Sequence, residues 1–392
     1  MPDVTDDGDD GAVPVARSPV DSDHILGIGR AAGLDAVGIA SAEPFDLARD
    51  EIERRRAAGL HAGMAFTFRN PARSTDPSRT LPSAAALVVG ALSYAEPGSA
   101  PVPGRGPVGR VAKYSWTDHY ARLREALGVV ADELKGAGWR GIVLADDNAL
   151  VDRAAAHRAG IGWLGKNANL LLPGQGSWFV LGAVLTDAPL DPVDEPVPDG
   201  CGSCTQCLEG CPTGAIIEPG VVDARRCLAW LVQAPGSFPH EHREALGDRI
   251  YGCDDCQDVC PPNRRVLRQI AGSTTDQAGD IEGWVPLLEM LASSDDELLE
   301  RHGRWYIPQR DPAYLRRNAL LALANVADPD AASVRDAVAG ALVHHDALVR
   351  SHAVWAARRL GYDELTSALA DDPDPSVQDE LAAPAPTPRR TL

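Results

Sequence analysis

All eight cysteines of this chain fall between Cys201 and Cys260, and their spacing constrains the fold more than any other feature. Cys201-x2-Cys204-x2-Cys207-x3-Cys211-Pro212 is a ferredoxin-type run, in which three close thiolates hold three corners of an iron–sulfur cubane and the fourth reaches a second one. The other set is Cys227 followed by Cys253-x2-Cys256-x3-Cys260-Pro261, with the same ending but 25 residues between its first two members. Eight ligands therefore serve two 4Fe-4S clusters with none left over. The ferredoxin crossover predicts Cys201, Cys204, Cys207 and Cys260 on one cluster and Cys211, Cys227, Cys253 and Cys256 on the other. Two Zn(Cys)4 sites are the alternative, but zinc knuckles rarely carry a CxxCxxCxxxCP run. A chain with two such clusters moves single electrons.

The flanking sequence divides into distinct parts. Residues 1–22 are rich in Asp and poor in large apolar residues, which predicts a disordered acidic tail. Over 23–190, the apolar runs AVGIA (36–40), AALVVGALSY (85–94), GIVLA (141–145) and WFVLGAVLT (178–186) alternate with helical patterns at 46–59 and 120–138. That alternation predicts an α/β domain. The Pro/Gly-rich stretches 100–110 and 189–200 read as a surface loop and a linker. The cysteine region occupies 191–270. Over 271–375, LRRNALLALAN (315–325) matches VRSHAVWAARR (349–359) at an offset of about 34 residues, which predicts a short HEAT-like array of paired helices. DPDPSVQDELA (372–382) reads as a possible third repeat at the solvent-facing end, and residues 376–392 are expected to be a tail.

Composition narrows the function classes. The formal charge of -19 repels polyanions unless basic residues are locally gathered. No run of eighteen apolar residues exists and the N-terminus lacks the pattern of a secretory signal, so a cytoplasmic, membrane-free monomer is expected. A reducing cytoplasm keeps thiols available as ligands. No GxGxxG follows a strand, which removes support for a Rossmann nicotinamide or flavin site. The segment GIGWLGKN (160–167) reads as a turn with close backbone approach that either holds a ligand or packs.

Several longer motifs occur in one order: Arg73 to Pro82, Asp146 to Arg153, RAGIGWLGKN (158–167), GSWFVLG (176–182), both cysteine sets, RIYGCDDCQDVCPPN (249–263) and RRNALLALAN (316–325). Together they resemble the epoxyqueuosine reductase family, cobalamin-dependent iron–sulfur enzymes of tRNA modification, over about residues 24–360. The resemblance implies a nitroreductase-like α/β domain that binds cobalamin, a ferredoxin-like domain whose clusters reduce it, and reductive removal of the epoxide oxygen of epoxyqueuosine at the tRNA wobble position. It aligns Asp146 with the family's proton donor. An aspartate suits that task, because epoxide opening leaves an alkoxide whose loss as water needs a general acid within hydrogen-bond reach. The neighbouring Asp147 is an equally good chemical candidate, and the alternative for either is a turn or cap.

By the same resemblance Arg73, Lys166 and Asn167 are expected at the corrinoid, and Asp254 and Asp255 lie where the backbone between the second-cluster cysteines would face it. The stretch 113–121 departs from the family pattern at Lys113, Thr117, His119 and Ala121. No DxHxxG motif offers a histidine as lower axial ligand, and His119 and His157 are expected to be ordinary polar residues. Arg301, Arg304, Arg310, Arg316 and Arg317, with Trp305, Tyr306 and Tyr314 between them, form the strip expected to meet tRNA. Arginine grips phosphate bidentately and aromatic rings stack on splayed bases. Arg264, Arg265 and Arg268 follow the last cysteine. The competing readings are a corrinoid iron–sulfur reductase of a small molecule, and a ferredoxin-like carrier. All require an external one-electron donor.

Overall fold

A computed structural model of the chain describes residues 17–98, 106–193, 195–271 and 283–388. The expected tail over 1–22 lies mostly outside the described residues, but packing begins earlier than residue 23. Arg17 pairs with the buried carboxylate of Asp187 at 2.8 Å and lies over the Trp139 ring, and helix α1 (Ser22–Ala31) starts on the Asp21 cap.

The α/β part is built on one four-stranded sheet of β1 (Ala36–Ser41), β2 (Ala86–Ser93), β4 (Gly141–Ala145) and β5 (Phe179–Thr186). Its order is β1-β2-β5-β4, and every pairing is antiparallel. The apolar runs of β2 and β5 do not alternate because both faces are covered. On one face Val88 and Val184 pack against Ile25 of α1 and Leu123, Leu127 and Leu134 of helix α2 (His119–Gly136). On the other, Leu87, Val89, Leu181 and Leu185 meet Leu81, Leu150 and the alanines of helix α3 (Asp152–Arg158). Each fully buried aliphatic side chain contributes about 2 kcal/mol relative to exposure.

The stretch 100–110, expected to be a surface loop, is one only in part. Residues 99–105 lie outside the described residues, whereas Val108–Val111 form strand β3. It pairs in parallel with β6 (Arg249–Tyr251), which leads into the second cysteine loop, and antiparallel with β7 (Trp284–Pro286). Three distant segments thereby share one small sheet. Its buried Val111, Ile250, Tyr251 and Val285 run on into the core of the C-terminal helices.

Helices α4 (Ala313–Val326) and α5 (Ala347–Leu360) carry the repeated sequence, and Ala319, Ala322, Ala353 and Ala356 are fully buried between paired helices. The final segment also differs from expectation. Pro375–Ala382 is a helix, and its Glu380 is buried against Arg243 of the cysteine region at 2.9 Å. A buried pair of this kind fixes position, since either member alone would be an uncompensated charge. Among the described residues no helix is long and apolar enough to cross a membrane.

Candidate active site and cysteine loops

All eight cysteines are free and partly accessible. Electrostatically they form two neighbourhoods. The Cys260 thiol faces those of Cys201, Cys207 and Cys204, while Cys256 faces Cys253, Cys227 and Cys211. Burial raises the Cys256 and Cys253 thiols far above the ordinary range and pushes Cys260 up to about 11. Thiols so packed ionise when a metal supplies the compensating charge.

The GIGWLGKN segment packs, and it packs on the cysteine loops. Trp163–Leu164 pairs with Leu170–Leu171 in a short hairpin. Trp163 donates its indole N–H to the Cys201 sulfur at 3.4 Å. Lys166 gives its ammonium to the carbonyls of Gly202 (2.6 Å) and Cys204 (3.0 Å), and the buried Asn167 reaches the Cys256 carbonyl at 3.5 Å. The two residues expected at a corrinoid thus have partners in the first and second loops respectively. Arg73, on the turn Pro71–Ser74, is exposed, and its guanidinium has no partner among the described residues.

The GSWFVLG motif is the second docking point. Gly176 (φ +73°) lies so close to Asn263 that a Cβ there would stand 2.1 Å from Oδ1, so no larger residue fits. Asn263, fully buried, accepts from Ser177 N at 2.6 Å and donates to Ser177 Oγ and to the Gln257 carbonyl. Gln257 in turn donates to the Ser177 carbonyl and to Tyr94 Oη. Ser177, Gln257 and Asn263 thus satisfy one another, which fixes the second loop against the sheet.

Asp254 and Asp255 are neither solvated nor free. Asp254 is buried and accepts the Lys113 backbone N–H at 2.8 Å. Burial raises its carboxyl to about 6 against the pull of Lys113. For Asp255 burial acts upward too, but Arg249 and Arg110 outweigh it and hold the carboxyl below its ordinary range. Lys113 Nζ lies 3.3 Å from Asp258 and over the Trp178 ring. The altered residue 113 is therefore a buried counterion of the second loop, and the carboxylates of Asp254 and Asp255 are taken up by protein partners.

Asp146 and Asp147 separate clearly. Asp147 accepts the Ala149 N–H at 2.8 Å in a local turn. Asp146, directly after β4, has φ +56°, an uncommon backbone for a non-glycine residue, and its carboxylate accepts no hydrogen bond among the described residues. It reaches solvent, yet the surrounding protein raises its carboxyl, with Asp152, Asp147 and Asp118 adding to desolvation and Arg124 opposing it. A carboxyl held this way stays protonated to higher pH than a free one.

Two tyrosines lie near it and two more adjoin those, four of the chain's seven, which the sequence reading did not single out. Tyr120 and Tyr251 lie within electrostatic range of Asp146, and Tyr94 and Tyr114 within range of Asp254 and Tyr120. Burial raises all four phenols, Tyr251 to about 12, so each is a neutral hydroxyl at ordinary pH. The signal was present, since these tyrosines sit in the quoted stretches GALSY, KYSWTDHY and RIYGC, but linear sequence gives no reason to group them. His119 is buried beside Thr117, and His157 Nδ1 lies 3.0 Å from the Gly162 carbonyl.

The arginine strip requires a correction. Arg317 is fully buried, its guanidinium bonding the carbonyls of Leu231, Val232, Ala234 and Gly236, and burial lowers its pKa to about 9. Arg316 is buried against Asp295 and the Ser293 carbonyl. Neither can meet a phosphate, because each already satisfies main-chain oxygens that would otherwise be buried without donors. Arg301, Arg304 and Arg310 are exposed. Arg304 also donates to the carbonyls of Trp116 and Thr117, tying the strip to the stretch that departs from the family pattern. Of the aromatics, Trp305 is buried in a stack between Tyr251 and His302, while Tyr306 is 60% exposed.

Known proteins share this arrangement. The 4Fe-4S double cluster binding domain family matches residues 200–263 and the HEAT repeats family 306–383. Epoxyqueuosine reductase of Bacillus subtilis is 34% identical over 374 residues, covering 92% of this chain and 94% of the relative. That of Bacillus cereus is 33% identical over 353 residues, covering 88% and 90%. The crystal structure of an epoxyqueuosine reductase with an epoxyqueuosine-modified tRNA-Tyr stem loop superposes with a TM-score of 0.81 at 32% identity, covering 92% of this chain and 96% of that one.

Proposed function

The chain belongs to the epoxyqueuosine reductase family of iron–sulfur oxidoreductases, and on that premise we propose that Asp146 is the acid with which it converts epoxyqueuosine to queuosine in tRNA. The observation that carries this reading is the position of Asp146: a carboxyl without a hydrogen-bond donor among the described residues, held in a left-handed backbone, raised above its ordinary range and within reach of the neutral phenols of Tyr120 and Tyr251. Removing an epoxide oxygen as water consumes two electrons and two protons. The two cysteine sets provide the electron path, with Cys201, Cys204, Cys207 and Cys260 on one cluster and Cys211, Cys227, Cys253 and Cys256 on the other.

Cobalamin, implied by the resemblance, fits the residues present. The Trp178 indole N–H is fully buried without a partner among the described residues, and the neutral phenols of Tyr94, Tyr120 and Tyr251 would offer donors to the polar rim of a large cofactor. Arg73 keeps its charge free for a phosphate. His119 beside Thr117 and His157 at the Gly162 carbonyl are both engaged within the protein. Reduced cobalamin would supply a two-electron nucleophile. Asp146 would deliver the proton to the oxygen released from the ring, and the exposed Arg301, Arg304, Arg310 and Tyr306 would hold the anticodon stem loop. The electron-carrier alternative does not survive membership in an enzyme family.

The test is anaerobic turnover of the reconstituted protein with cobalamin, a strong reductant and epoxyqueuosine tRNA, followed by mass spectrometry of the nucleoside. Asp146→Asn is expected to lose on the order of 100-fold or more with clusters and cobalamin retained. Because the protonated carboxyl is the active form, the wild-type rate falls as pH rises through the raised pKa, and this limb disappears in the variant. Full activity of Asp146→Asn would overturn the assignment.

A further inference from the structure

The two cysteine neighbourhoods lie at different depths. All eight thiols are partly accessible, but Cys227, Cys253 and Cys256 lie deeper in the protein than Cys207 and Cys260. The loop residues agree. Gly202, Ser203, Thr205, Gln206 and Glu209 of the first loop are exposed, while Asp254, Gln257 and Asn263 around the second are buried. Electrons from outside therefore meet the first cluster first.

The surface at that point has a defined character. Leu164 is a large apolar side chain left 48% exposed, adjacent to Trp163, whose indole touches the Cys201 sulfur. The helix continuing from Cys260, Pro261–Ala271, presents Arg264, Arg265 and Arg268 to solvent. Arg264 and Arg268 donate from Nε to the Asp258 and Arg264 carbonyls, and none of the three has a carboxylate partner among the described residues. In a chain of net charge -19, many of whose surface cations are paired, three arginines without a carboxylate partner among the described residues gather positive charge on the helix that leaves a cluster ligand, although Asp199 and Glu209 are exposed at the first loop. Such a patch steers a negatively charged partner that the molecule as a whole would repel.

We propose that the Trp163–Leu164 hairpin, the first cysteine loop and the Arg264–Arg268 face form the docking surface for a small acidic one-electron carrier protein with an exposed cofactor edge. This rests on the cluster reading above. The apolar Leu164 supplies the dry centre of the contact and the arginines its charged rim, the pattern of weak transient interfaces. RNA is the less suitable occupant, because the patch surrounds the thiols nearest solvent rather than Asp146. In each encounter the reduced carrier loses one electron and the oxidised cluster gains it, with no bond made and no proton moved. Two encounters supply the two electrons that removal of the oxygen consumes.

The test uses the cluster-loaded full chain and two pre-reduced probes, an acidic flavodoxin and an acidic 2Fe-2S ferredoxin, with cluster reduction followed by stopped-flow absorbance. For at least one probe the wild-type rate should fall steeply with added salt. Leu164→Asp and Arg265→Glu should each slow that reduction about tenfold or more and, for Arg265→Glu, flatten the salt dependence. Iron content, dithionite reduction and affinity for the tRNA stem loop should stay unchanged. Unaltered carrier kinetics in both variants would overturn the proposal, as would stem-loop binding that falls while carrier kinetics hold. Loss of iron would instead point to failure of the cluster assignment.

Discussion

The two cysteine loops share a sequence ending, CxxxCP, and differ in almost everything around it. The first, Cys201 to Cys211, is an exposed loop held from one side by Trp163 and Lys166, largely through contacts to its backbone and one sulfur. The second, Cys253 to Cys260, is enclosed by Arg110, Lys113 and Arg249 against Asp254, Asp255 and Asp258, and locked by Gln257 and Asn263 onto Ser177. Ligand spacing decides what can bind. The surroundings decide how firmly it is held, at what potential it works and what can reach it.

The comparison predicts unequal responses to the loss of one cation. Arg249→Met leaves Asp255 partly buried with only Arg110 beside it, and should cost about 3 kcal/mol of unfolding free energy. Lys166→Met, which removes two hydrogen bonds from an accessible loop, should cost about 1 kcal/mol. Denaturant unfolding of the cluster-loaded protein measures both, and equal costs would break the contrast.

A smaller effect concerns potential. Arg110→Gln removes a positive charge from beside the second loop, which disfavours the more negative reduced cluster. Its midpoint should fall by about 40 mV, roughly 1 kcal/mol for a one-electron couple, with the first cluster unmoved. Redox titration by electron paramagnetic resonance separates the two. The smallest shift is expected at the first loop. Trp163→Phe deletes the N–H donated to the Cys201 sulfur and should lower only the first cluster's potential, by less than the Arg110 substitution does. A shift of both clusters in either variant would mean that the two loops are not electrostatically separate.

Arg304 and Arg317 show where sequence reading stops. Both lie in one arginine-rich strip, and both are equally good phosphate ligands on paper. Arg304 stays exposed and reaches the backbone of Trp116 and Thr117, whereas Arg317 is fully buried under four carbonyls of the segment after Cys227. Helical periodicity alone placed Arg317 on a face, but which partner covered that face depended on the chain some 80 residues earlier. The same holds for the motif residues Lys166 and Asn167, whose partners are main-chain carbonyls of the cysteine loops, and for the four tyrosines, which come together from three separate segments. The helix at 375–382 lies in the segment that the pattern suggests as a third repeat, but its place in the molecule was not legible, for a related reason. Its sequence is polar and Pro-rich at the start, and it is held by a buried ion pair to Arg243 that no local pattern announces.

The sequence by itself determined the metal chemistry, the unbroken apolar strands and the repeated helices, because each depends on spacing or periodicity within a short window, whereas Asp146 entered as a candidate only through the family resemblance. Only the tertiary structure decided which of two adjacent aspartates stands without a hydrogen-bond donor among the described residues, which arginines remain exposed, and which cysteine loop lies nearer the surface. Those properties depend on burial and on the field of groups remote in sequence, and burial is set by how the three parts of the chain close on one another through the β3–β6–β7 sheet.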